Sequence, residues 1–458
     1  MPPRESGFPL PLACIATWKA LRRHMQSPWL ISWLSVAVAA GVLFALLAIH
    51  FLETQRFVRS RIRRPHATNA KGHVAVFAPC KGLDVGLEEN LRPLFEQDHP
   101  DYQVTFIVER ADDPAGQVIR RLMAEYPETP SELVVSGQSF DTGQKLHNLR
   151  QATARLPSKV KYLAFVDSDA RPPRDWLRRL VQRLDLPGAG AVTGYRWYVP
   201  QRASLANHLL YSINASVAAG LGPGGHHLIW GGSWSIRRDV FEQIRLRDTW
   251  RGTLSDDLVA TRALQRAGLN ILFEPTTMLA SPVDNDLRQT STFLRRQYVI
   301  ARFYAKGYWL LAFAAAMIGL VTFWGGLGLL IAGLVQGADW TWIPAVVCLL
   351  HYASTVFRGL LRRELANLYL PEQGPTMRAA IRFDIWAAPL VAIFNSLAML
   401  SSVVGSRLHW RGISYQLRRN GLVRIVERDA VHTTDRGEFV EIPIPTPARP
   451  VTGTVGAG

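Results

Sequence analysis

Cysteine is scarce in this sequence. The chain of 458 residues contains three, Cys14, Cys80 and Cys348, and they lie far apart. Such spacing supports neither a disulfide framework nor a zinc site, so we expect reduced cysteines that act as small buried residues. The class of small, disulfide-stabilised secreted domains is therefore excluded.

Acidic residues are also in deficit. The chain has 36 Asp and Glu against 52 Lys and Arg, which gives a formal net charge of +16. A basic excess of this size suits nucleic acid or an anionic membrane surface. Because the basic residues lie beside long hydrophobic runs, we predict a membrane partner and no nucleic acid.

Charged residues are almost missing from four long stretches of the chain. The first, 29–52, is long enough to cross a bilayer and precedes no small-residue cleavage site, so we predict a retained transmembrane anchor. Three more apolar runs occupy residues 308–334, 340–361 and 385–404. More positive charge follows the first run than precedes it, and the positive-inside rule then places the chain after residue 55 in the cytoplasm. We predict a multi-pass integral membrane protein.

The charge of the C-terminal tail conflicts with three full C-terminal spans, which would leave the tail on the other side of the membrane. The tail is rich in arginine: Arg407, Arg411, Arg418, Arg419 and Arg424. We therefore expect one of the three runs to be re-entrant or interfacial, which returns the tail to the cytoplasmic side. The tail segment Trp410-Arg411-Gly412-Ile413-Ser414-Tyr415 is interpreted as an interfacial anchor.

Between the apolar regions, short apolar strands alternate with helical stretches. This alternation predicts an α/β fold with a mostly parallel sheet and helices on its faces. Strands are predicted at residues 74–78, 103–108, 132–135, 162–166 and 191–193.

The whole chain is predicted to consist of seven consecutive parts. These are an irregular N-terminal segment (1–27), a transmembrane anchor (28–55), a basic linker (56–72), the α/β domain (73–305), a C-terminal membrane region with two or three helices (306–405), a basic interfacial tail (406–442) and a disordered tail (443–458).

The most informative stretch is the apolar strand 162–166 and the Asp167-Ser168-Asp169 sequence that ends it. In open α/β sheets, ligands bind at the carboxyl ends of the strands. Two carboxylates there offer oxygen ligands for Mg²⁺ or Mn²⁺ bound to a phosphorylated substrate. The alternative for an isolated pair of this kind is a solvated acidic turn.

Polar residues also follow other predicted strands. Asp113 offers an acceptor for the base or ribose of a nucleotide, although it is equally placed to cap the next helix. Lys145 precedes a helix and is suited to neutralise a pyrophosphate, the alternative being an ordinary surface lysine.

A second acidic pair, Asp256-Asp257, precedes the helical run 259–267. Acids at a helix start are favourable with the helix dipole, so capping alone explains them. Their functional interpretation is a general base. Inversion at a sugar carbon needs a carboxylate that takes the acceptor's proton on the face opposite the departing diphosphate.

Taken in order, these motifs resemble family 2 inverting glycosyltransferases of the GT-A fold, most closely their ceramide glucosyltransferase branch. The matching sequences cover about half of the chain: Pro79-Cys80-Lys81-Gly82-Leu83-Asp84, Asp112-Asp113-Pro114-Ala115, Lys145-Leu146-His147-Asn148-Leu149, Asp167-Ser168-Asp169 and Ser255-Asp256-Asp257. The resemblance implies that Asp113 contacts the nucleotide and that Asp167 and Asp169 hold the metal and diphosphate. It also implies that Asp257 is the catalytic base, with Asp256 where the family usually has Glu.

The chain departs from the family at one motif, which reads Arg or Gln, two variable residues, then Arg-Trp. Arg296 supplies the first position and is predicted to bind the donor, but Val299-Ile300 occupies the place of Arg-Trp. In a register that uses Arg302-Phe303 instead, Val299 occupies the leading position. The departure argues against a processive polysaccharide synthase, which uses this segment to hold a polymer end.

The sequence predicts a membrane-bound inverting glycosyltransferase. Its donor is a nucleotide sugar, UDP-glucose or another UDP-hexose, and its acceptor is a lipid hydroxyl such as that of ceramide. The alternatives are a processive polysaccharide synthase and an inactive scaffold that binds nucleotide sugars. Retention of Asp167, Asp169 and Asp257 argues against the scaffold.

Overall fold

A long helix, α1 (Pro28–Arg63), begins the part of the chain that the computed structural model describes, which is residues 28–63, 72–84 and 86–429. The helix passes residue 55, so the first part of the predicted basic linker is helical. The predicted segments 1–27 and 443–458 lie outside the described residues. Exposed aliphatic side chains form a stripe along α1 that suits contact with lipid: Val38, Val42, Leu46 and Ile49.

The α/β domain is built on a seven-stranded sheet in the order β3-β2-β1-β4-β6-β5-β7. Its strands are β1 (His73–Pro79), β2 (Tyr102–Val108), β3 (Ser131–Val135), β4 (Val160–Val166), β5 (Ala189–Pro200), β6 (Ser233–Arg237) and β7 (Asn270–Val283). Strands β1 to β4 pair in parallel, as do β5 and β7, and only β6 among the described strands of this sheet is antiparallel to its neighbours. The predicted α/β fold with a mostly parallel sheet is confirmed.

Apolar layers cover both faces of this sheet. Along β1, Ala75 and Phe77 point into one layer while Val74 and Val76 point into the other, as the alternation of side chains in a strand requires. The helices that supply the layers are α2 (Leu87–Leu91), α3 (Pro114–Glu125), α4 (Gln144–Ala152), α5 (Trp176–Val181), α7 (Arg238–Gln243), α8 (Leu246–Thr249) and α9 (Asp256–Arg266). Helix α6 (Leu205–Ala218) belongs to a further cluster with Trp197 of β5.

The C-terminal membrane region follows an amphipathic helix, α10 (Leu287–Tyr304), which a capping box at Asp286 begins. Helices α11 (Lys306–Leu320) and α12 (Gly326–Val335) join through a π-helical turn, and the combined helix is long and apolar enough to cross a membrane. Helix α1 and helix α13 (Trp342–Tyr369) are each long and apolar enough to do so as well. Membrane-spanning helices at both ends of the α/β domain are thus confirmed.

The third predicted C-terminal run is not a straight span. Helices α14 (Gly374–Trp386) and α15 (Ala388–Ser401) meet at an angle of 87°. Pro389 stands in the first turn of α15 and has no N–H to donate back into α14, which accounts for the break. A bend of this size occurs in a broken span or in the re-entrant segment that the sequence predicts.

The tail forms a three-stranded antiparallel sheet of β8 (Arg407–Trp410), β9 (Ile413–Leu417) and β10 (Val423–Arg428). Its apolar residues, among them Ile413 and Tyr415, share a core cluster with Phe77 of β1. Val423 also donates a backbone hydrogen bond of 2.7 Å to Gly252 O. The expected return of the tail to the side of the α/β domain is confirmed.

A buried ion pair joins the bent helices to the preceding span. Arg362 of α13 donates to both carboxylate oxygens of Asp384 on α14, at 2.8 and 2.9 Å. The two side chains are 7% and 5% exposed. Removal of one partner would leave the other charge buried and uncompensated, which is more costly than the loss of both charges.

We predict that Asp384→Ala lowers the free energy of unfolding by about 3–5 kcal/mol, because the Arg362 guanidinium loses its counter-charge. Denaturant unfolding in detergent micelles measures the change. The double variant Arg362→Leu with Asp384→Leu is the control and should recover most of the loss. Wild-type stability in the single variant would show that the pair does not hold the bent helices.

We also predict that Gln336, which follows α12, and Arg424 of β10 lie on opposite sides of the membrane. In a Cys14→Ser background, Gln336→Cys and Arg424→Cys should react from opposite sides of sealed vesicles with a membrane-impermeant maleimide. The remaining cysteines, Cys80 and Cys348, are buried. Reaction of both introduced cysteines from one side would contradict the re-entrant arrangement.

Candidate active site

The candidate site lies at the carboxyl ends of the parallel strands, where sequence analysis placed it. Strand β4 ends at Val166, and the Asp167-Ser168-Asp169 loop follows directly. The loop lies beside Gly232, whose carbonyl accepts a hydrogen bond from Asp167 N at 3.4 Å. Segments that are remote in the sequence, including the start of α9, meet at this edge.

Lys145 is the centre of the site. From the first turn of α4, its ammonium lies 2.7 Å from Asp167 Oδ1 and 2.9 Å from Asp256 Oδ1, and it donates to Gly231 O at 3.3 Å. Burial lowers the pKa of Lys145, but Asp167 and Asp256 outweigh this effect, so the pKa lies well above its ordinary value. Lys145 is a bridge between two acids and not a surface lysine.

The two acids of the α9 start have different surroundings. Asp256 is 3% exposed, and among the described residues its Oδ2 has no hydrogen-bond partner. Burial raises the pKa of both Asp256 and Asp167, and Lys145 opposes that rise. Asp257 is more exposed and accepts hydrogen bonds from Ser255 Oγ, from Leu258 N at 2.7 Å and from Gly231 N at 3.1 Å.

Gly231 makes this arrangement possible. A Cβ at this position would lie 2.9 Å from Lys145 Nζ, a distance that real Cβ atoms essentially never show, and 3.0 Å from Asp256 Oδ2, which is tighter than most Cβ contacts. Glycine therefore lets the backbone approach the charged cluster closely enough to donate to Asp257 and accept from Lys145. Sequence analysis did not single out this residue for that role.

Asp113 caps the helix that follows it, as its sequence position suggested. It caps α3 by accepting from Ala115 N at 3.0 Å, and it also accepts from Gly82 N at 3.0 Å. Both hydrogen bonds go to Oδ1. Burial raises the pKa of Asp113. The residue thus ties the loop after β1 to the loop after β2, outside the Lys145 cluster.

Asp167 and Asp169 fit a divalent cation that is shared with a ligand. The Asp169 side chain is 44% exposed, and its ion pair with Arg196 is long, at 3.6 Å. No group of three or more His, Cys, Asp or Glu side chains that could hold a metal occurs in the described part of the chain. Mg²⁺ commonly binds one or two protein carboxylates together with substrate phosphates, which is the donor set available here.

Three arginines from separate elements converge on the Asp167-Ser168-Asp169 loop. Arg196 of β5 pairs with Asp169, and its guanidinium lies 5.1 Å from the centroid of the Trp230 ring. Arg296 of α10 has no carboxylate of the described residues within ion-pair distance. Burial and the guanidinium groups of Arg411 and Arg196 lower the pKa of Arg296 to about 10. An arginine in this state is suited to bind an anion.

Arg411, in the turn between β8 and β9, is the third. Its guanidinium lies 2.9 Å from Asp84 Oδ1. Burial lowers the pKa of Arg411, but Asp84 and Asp169 outweigh this effect and raise it. The interpretation of Trp410-Arg411 as an interfacial anchor is wrong, because tail pairing carries Arg411 to the loop after β1. Sequence analysis missed Arg196 and Arg411, since no local motif marks either.

The model of the protein family described as glycosyl transferase family 21 matches residues 33–423. This chain belongs to that family. The match runs from α1 into β10, so the membrane helices and the tail sheet are included in it along with the α/β domain. The predicted resemblance to ceramide glucosyltransferases is confirmed at the level of the family, and the chain is a glycosyltransferase by membership.

Individual relatives are distant. The chain is 26% identical to ceramide glucosyltransferase 3 of Caenorhabditis elegans over 133 residues, which are 28% of each chain. It is 25% identical to a ceramide glucosyltransferase of Komagataella phaffii over 193 residues, 40% of this chain and 37% of the relative. The chain thus matches well under half the length of these curated relatives.

Among solved structures, a mannosyltransferase from Pyrobaculum calidifontis in complex with GDP-Man and Mn²⁺ is similar to this chain. Its sequence is 16% identical, and the comparison covers 81% of this chain and 97% of the other with a TM-score of 0.43.

We predict that Lys145→Gln makes stability depend more strongly on pH, because the carboxyls of Asp167 and Asp256 then lack the cation that lies between them. A carboxyl whose pKa is raised by folding favours the folded state at low pH and loses that contribution as the pH rises. The melting temperature of this variant should therefore fall between about pH 5 and about pH 8 by more than that of the wild type.

Lys159→Gln is the matched control, since Lys159 is exposed and its loss removes the same charge. If Lys145→Gln and Lys159→Gln respond equally to pH, Lys145 does not compensate the buried acids.

Proposed function

We propose that this protein is an inverting glycosyltransferase that transfers a sugar from a nucleotide sugar to a lipid hydroxyl at the cytoplasmic membrane surface. The observation that carries the proposal is the bridge of Lys145 between Asp167 and Asp256. It holds the donor-binding loop beside the Asp256-Asp257 pair, so a leaving diphosphate and a general base act on one sugar carbon.

Four residues bind the donor in this proposal. Asp113 Oδ2 accepts from the nucleotide, since the described hydrogen bonds of the carboxylate use Oδ1. Lys145 and Asp167 position the sugar diphosphate, and Arg296 pairs with its phosphates. A Mg²⁺ or Mn²⁺ ion held by Asp167 and Asp169 would neutralise negative charge on the leaving diphosphate.

Asp257 is the proposed general base. Ser255 Oγ, Leu258 N and Gly231 N donate to its two oxygens and fix its orientation. As the acceptor oxygen bonds to the anomeric carbon, its proton passes to Asp257 and the bond from that carbon to the diphosphate oxygen breaks. A single displacement of this kind inverts the anomeric configuration. Asp256 is a positioning residue, because it acts through Lys145.

A lipid acceptor suits the surroundings of the site. Helix α10 is an amphipathic segment that leads into the membrane helices, and it carries Arg296 near its middle. A buried cluster that contains Phe51 of α1, Trp197 of β5 and Leu365 of α13 ties the α/β domain to the spans. The curated relatives bear the name ceramide glucosyltransferase. Ceramide and UDP-glucose are therefore the first acceptor and donor to test.

The side of the membrane is proposed from charge. The end of α1 that leads into the α/β domain carries Arg56, Arg59, Arg61 and Arg63. By the positive-inside rule this end is cytoplasmic, and the α/β domain with it. Nucleotide sugars made in the cytosol then reach the site directly, while the acceptor diffuses laterally in the bilayer.

The test is a donor screen on the full chain in lipid nanodiscs, scored as nucleoside diphosphate release with Mg²⁺, Mn²⁺ or EDTA and with different lipids. We expect release of UDP that requires a divalent ion and rises with one class of lipid. Asp257→Asn should lower kcat by about 10²–10⁴-fold, the range typical of general-base catalysis, with UDP affinity unchanged.

Asp248→Asn is the matched control, because Asp248 is a solvent-exposed acid with a side chain that is 63% exposed. It should retain wild-type turnover. If no donor is turned over and Asp257→Asn behaves like the wild type, the protein is a binding scaffold and the proposal fails. A long polymer in place of a single-sugar product would instead identify a polysaccharide synthase.

A further inference from the structure

The turn between β8 and β9 has an unusual backbone. Arg411 and Gly412 both have positive φ, 48° and 71°. Consecutive residues with positive φ form the tight turn that matches the twist of a hairpin, and Asn or Gly usually fills the first position. An arginine there is disfavoured by its Cβ. Contacts of the guanidinium are therefore expected to offset this backbone cost.

Arg411 reaches across to the donor side of the α/β domain. Its guanidinium donates to Lys81 O at 2.9 Å and lies 2.9 Å from Asp84 Oδ1. Ser168, the middle residue of Asp167-Ser168-Asp169, donates to the other oxygen of the same Asp84 carboxylate at 2.5 Å. The tip of the tail hairpin therefore shares a hydrogen-bonded network with the loop that holds the diphosphate in the proposed function.

Trp410 of the same turn contacts the second cation of the site. The Arg296 guanidinium lies 5.8 Å from the centroid of the Trp410 ring and 5.4 Å from that of Phe293, so it is held between two aromatic faces. The tail thus brings two adjacent residues, Trp410 and Arg411, to the donor side.

Trp410 and Arg411 are the residue types that the family motif places in α10, where this chain has Val299 and Ile300 instead. Val299 and Ile300, which occupy the expected Arg-Trp positions, are 0% and 9% exposed and belong to the core cluster that also contains the tail sheet. These positions face the core, so α10 offers no arginine and tryptophan to the site there. The hairpin supplies both residue types beside Arg296.

We propose that Arg411 binds the diphosphate of the donor and that Trp410 positions Arg296 next to it. The hairpin of β8 and β9 is then a part of the donor site, contributed by the end of the chain. The ion pair with Asp84 fixes the position of the Arg411 guanidinium. Because the Arg411 side chain is 35% exposed, a ligand can reach it. This inference rests on the proposed function, because it assumes a nucleoside diphosphate donor.

The charges around the loop favour a diphosphate. Arg196 is paired with Asp169 and Arg411 with Asp84, whereas Arg296 has no carboxylate partner in the described part of the chain. Of these three arginines, Arg296 is therefore the one whose charge no described carboxylate within ion-pair distance offsets. Planar guanidinium groups bind phosphate through two parallel hydrogen bonds. A diphosphate presents two phosphate groups and more negative charge to these arginines than a monophosphate does.

The test compares two probes, UDP and UMP, on the full chain in nanodiscs with Mg²⁺. Arg411→Gln should raise the Kd of UDP by about tenfold to a hundredfold and that of UMP by less than about twofold. Arg424→Gln is the matched control, because Arg424 is an exposed arginine of the same tail sheet, and it should change neither Kd. Equal effects of Arg411→Gln on both probes, or none on UDP, would overturn the proposal.

Two further variants separate ligand contact from a structural role. Asp84→Asn removes the carboxylate that Arg411 holds, and we expect it to leave the ratio of the two Kd values unchanged. A ratio shifted as far as in Arg411→Gln would mean that Arg411 acts only through Asp84, which overturns the proposal. If Arg411→Gln does not fold, Arg411→Lys replaces it. Lysine lacks the paired donors, so an unchanged ratio in that variant would also overturn the proposal.

The inference and the proposed function fail in different ways. If the wild type turns over a donor while Arg411→Gln binds UDP as tightly as Arg424→Gln does, only the role of Arg411 is overturned. If the wild type binds no UDP at all, both the proposed donor class and the role of Arg411 are overturned.

Discussion

The site depends on one ammonium group between two carboxylates, of which Asp256 is buried and Asp167 is partly buried. Asp167 comes from the end of β4 and Asp256 from the start of α9, and the Lys145 ammonium between them favours the ionised form of both. Taking charges out of water has a desolvation cost, which close geometry offsets only in part. The Asp167-Ser168-Asp169 loop, the α9 start and the Gly231 backbone are nevertheless held in one arrangement.

The membrane region and the tail extend this arrangement. The chain bends at Pro389, the Arg362–Asp384 pair joins α13 to α14, and the tail then packs against the α/β domain. A straight third span would have carried the tail sheet, and Arg411 with it, away from the sheet edge. The topology of the membrane helices thus bears directly on which residues reach the candidate site.

Local pattern was sufficient for much of the fold and part of the site. The five predicted strands form, and Lys145, Asp167 and the Asp256-Asp257 pair meet, because apolar runs and the carboxyl-edge rule determine their positions. Strand β6 escaped prediction because Ser233-Trp234-Ser235 alternates with polar residues, and β7 because it contains Pro275 and Pro282. Arg411 could not be placed, since its contact with Asp84 is made by long-range packing of the tail.

The central claim is a single displacement at the anomeric carbon, with Asp257 on one face and the diphosphate on the other. Its most direct test is the anomeric configuration of the lipid product, read from the proton coupling at the anomeric carbon after turnover of an α-linked nucleotide sugar. The account predicts a β-linked product, formed by inversion. An α-linked product would contradict it, because retention requires a different arrangement of nucleophile and leaving group.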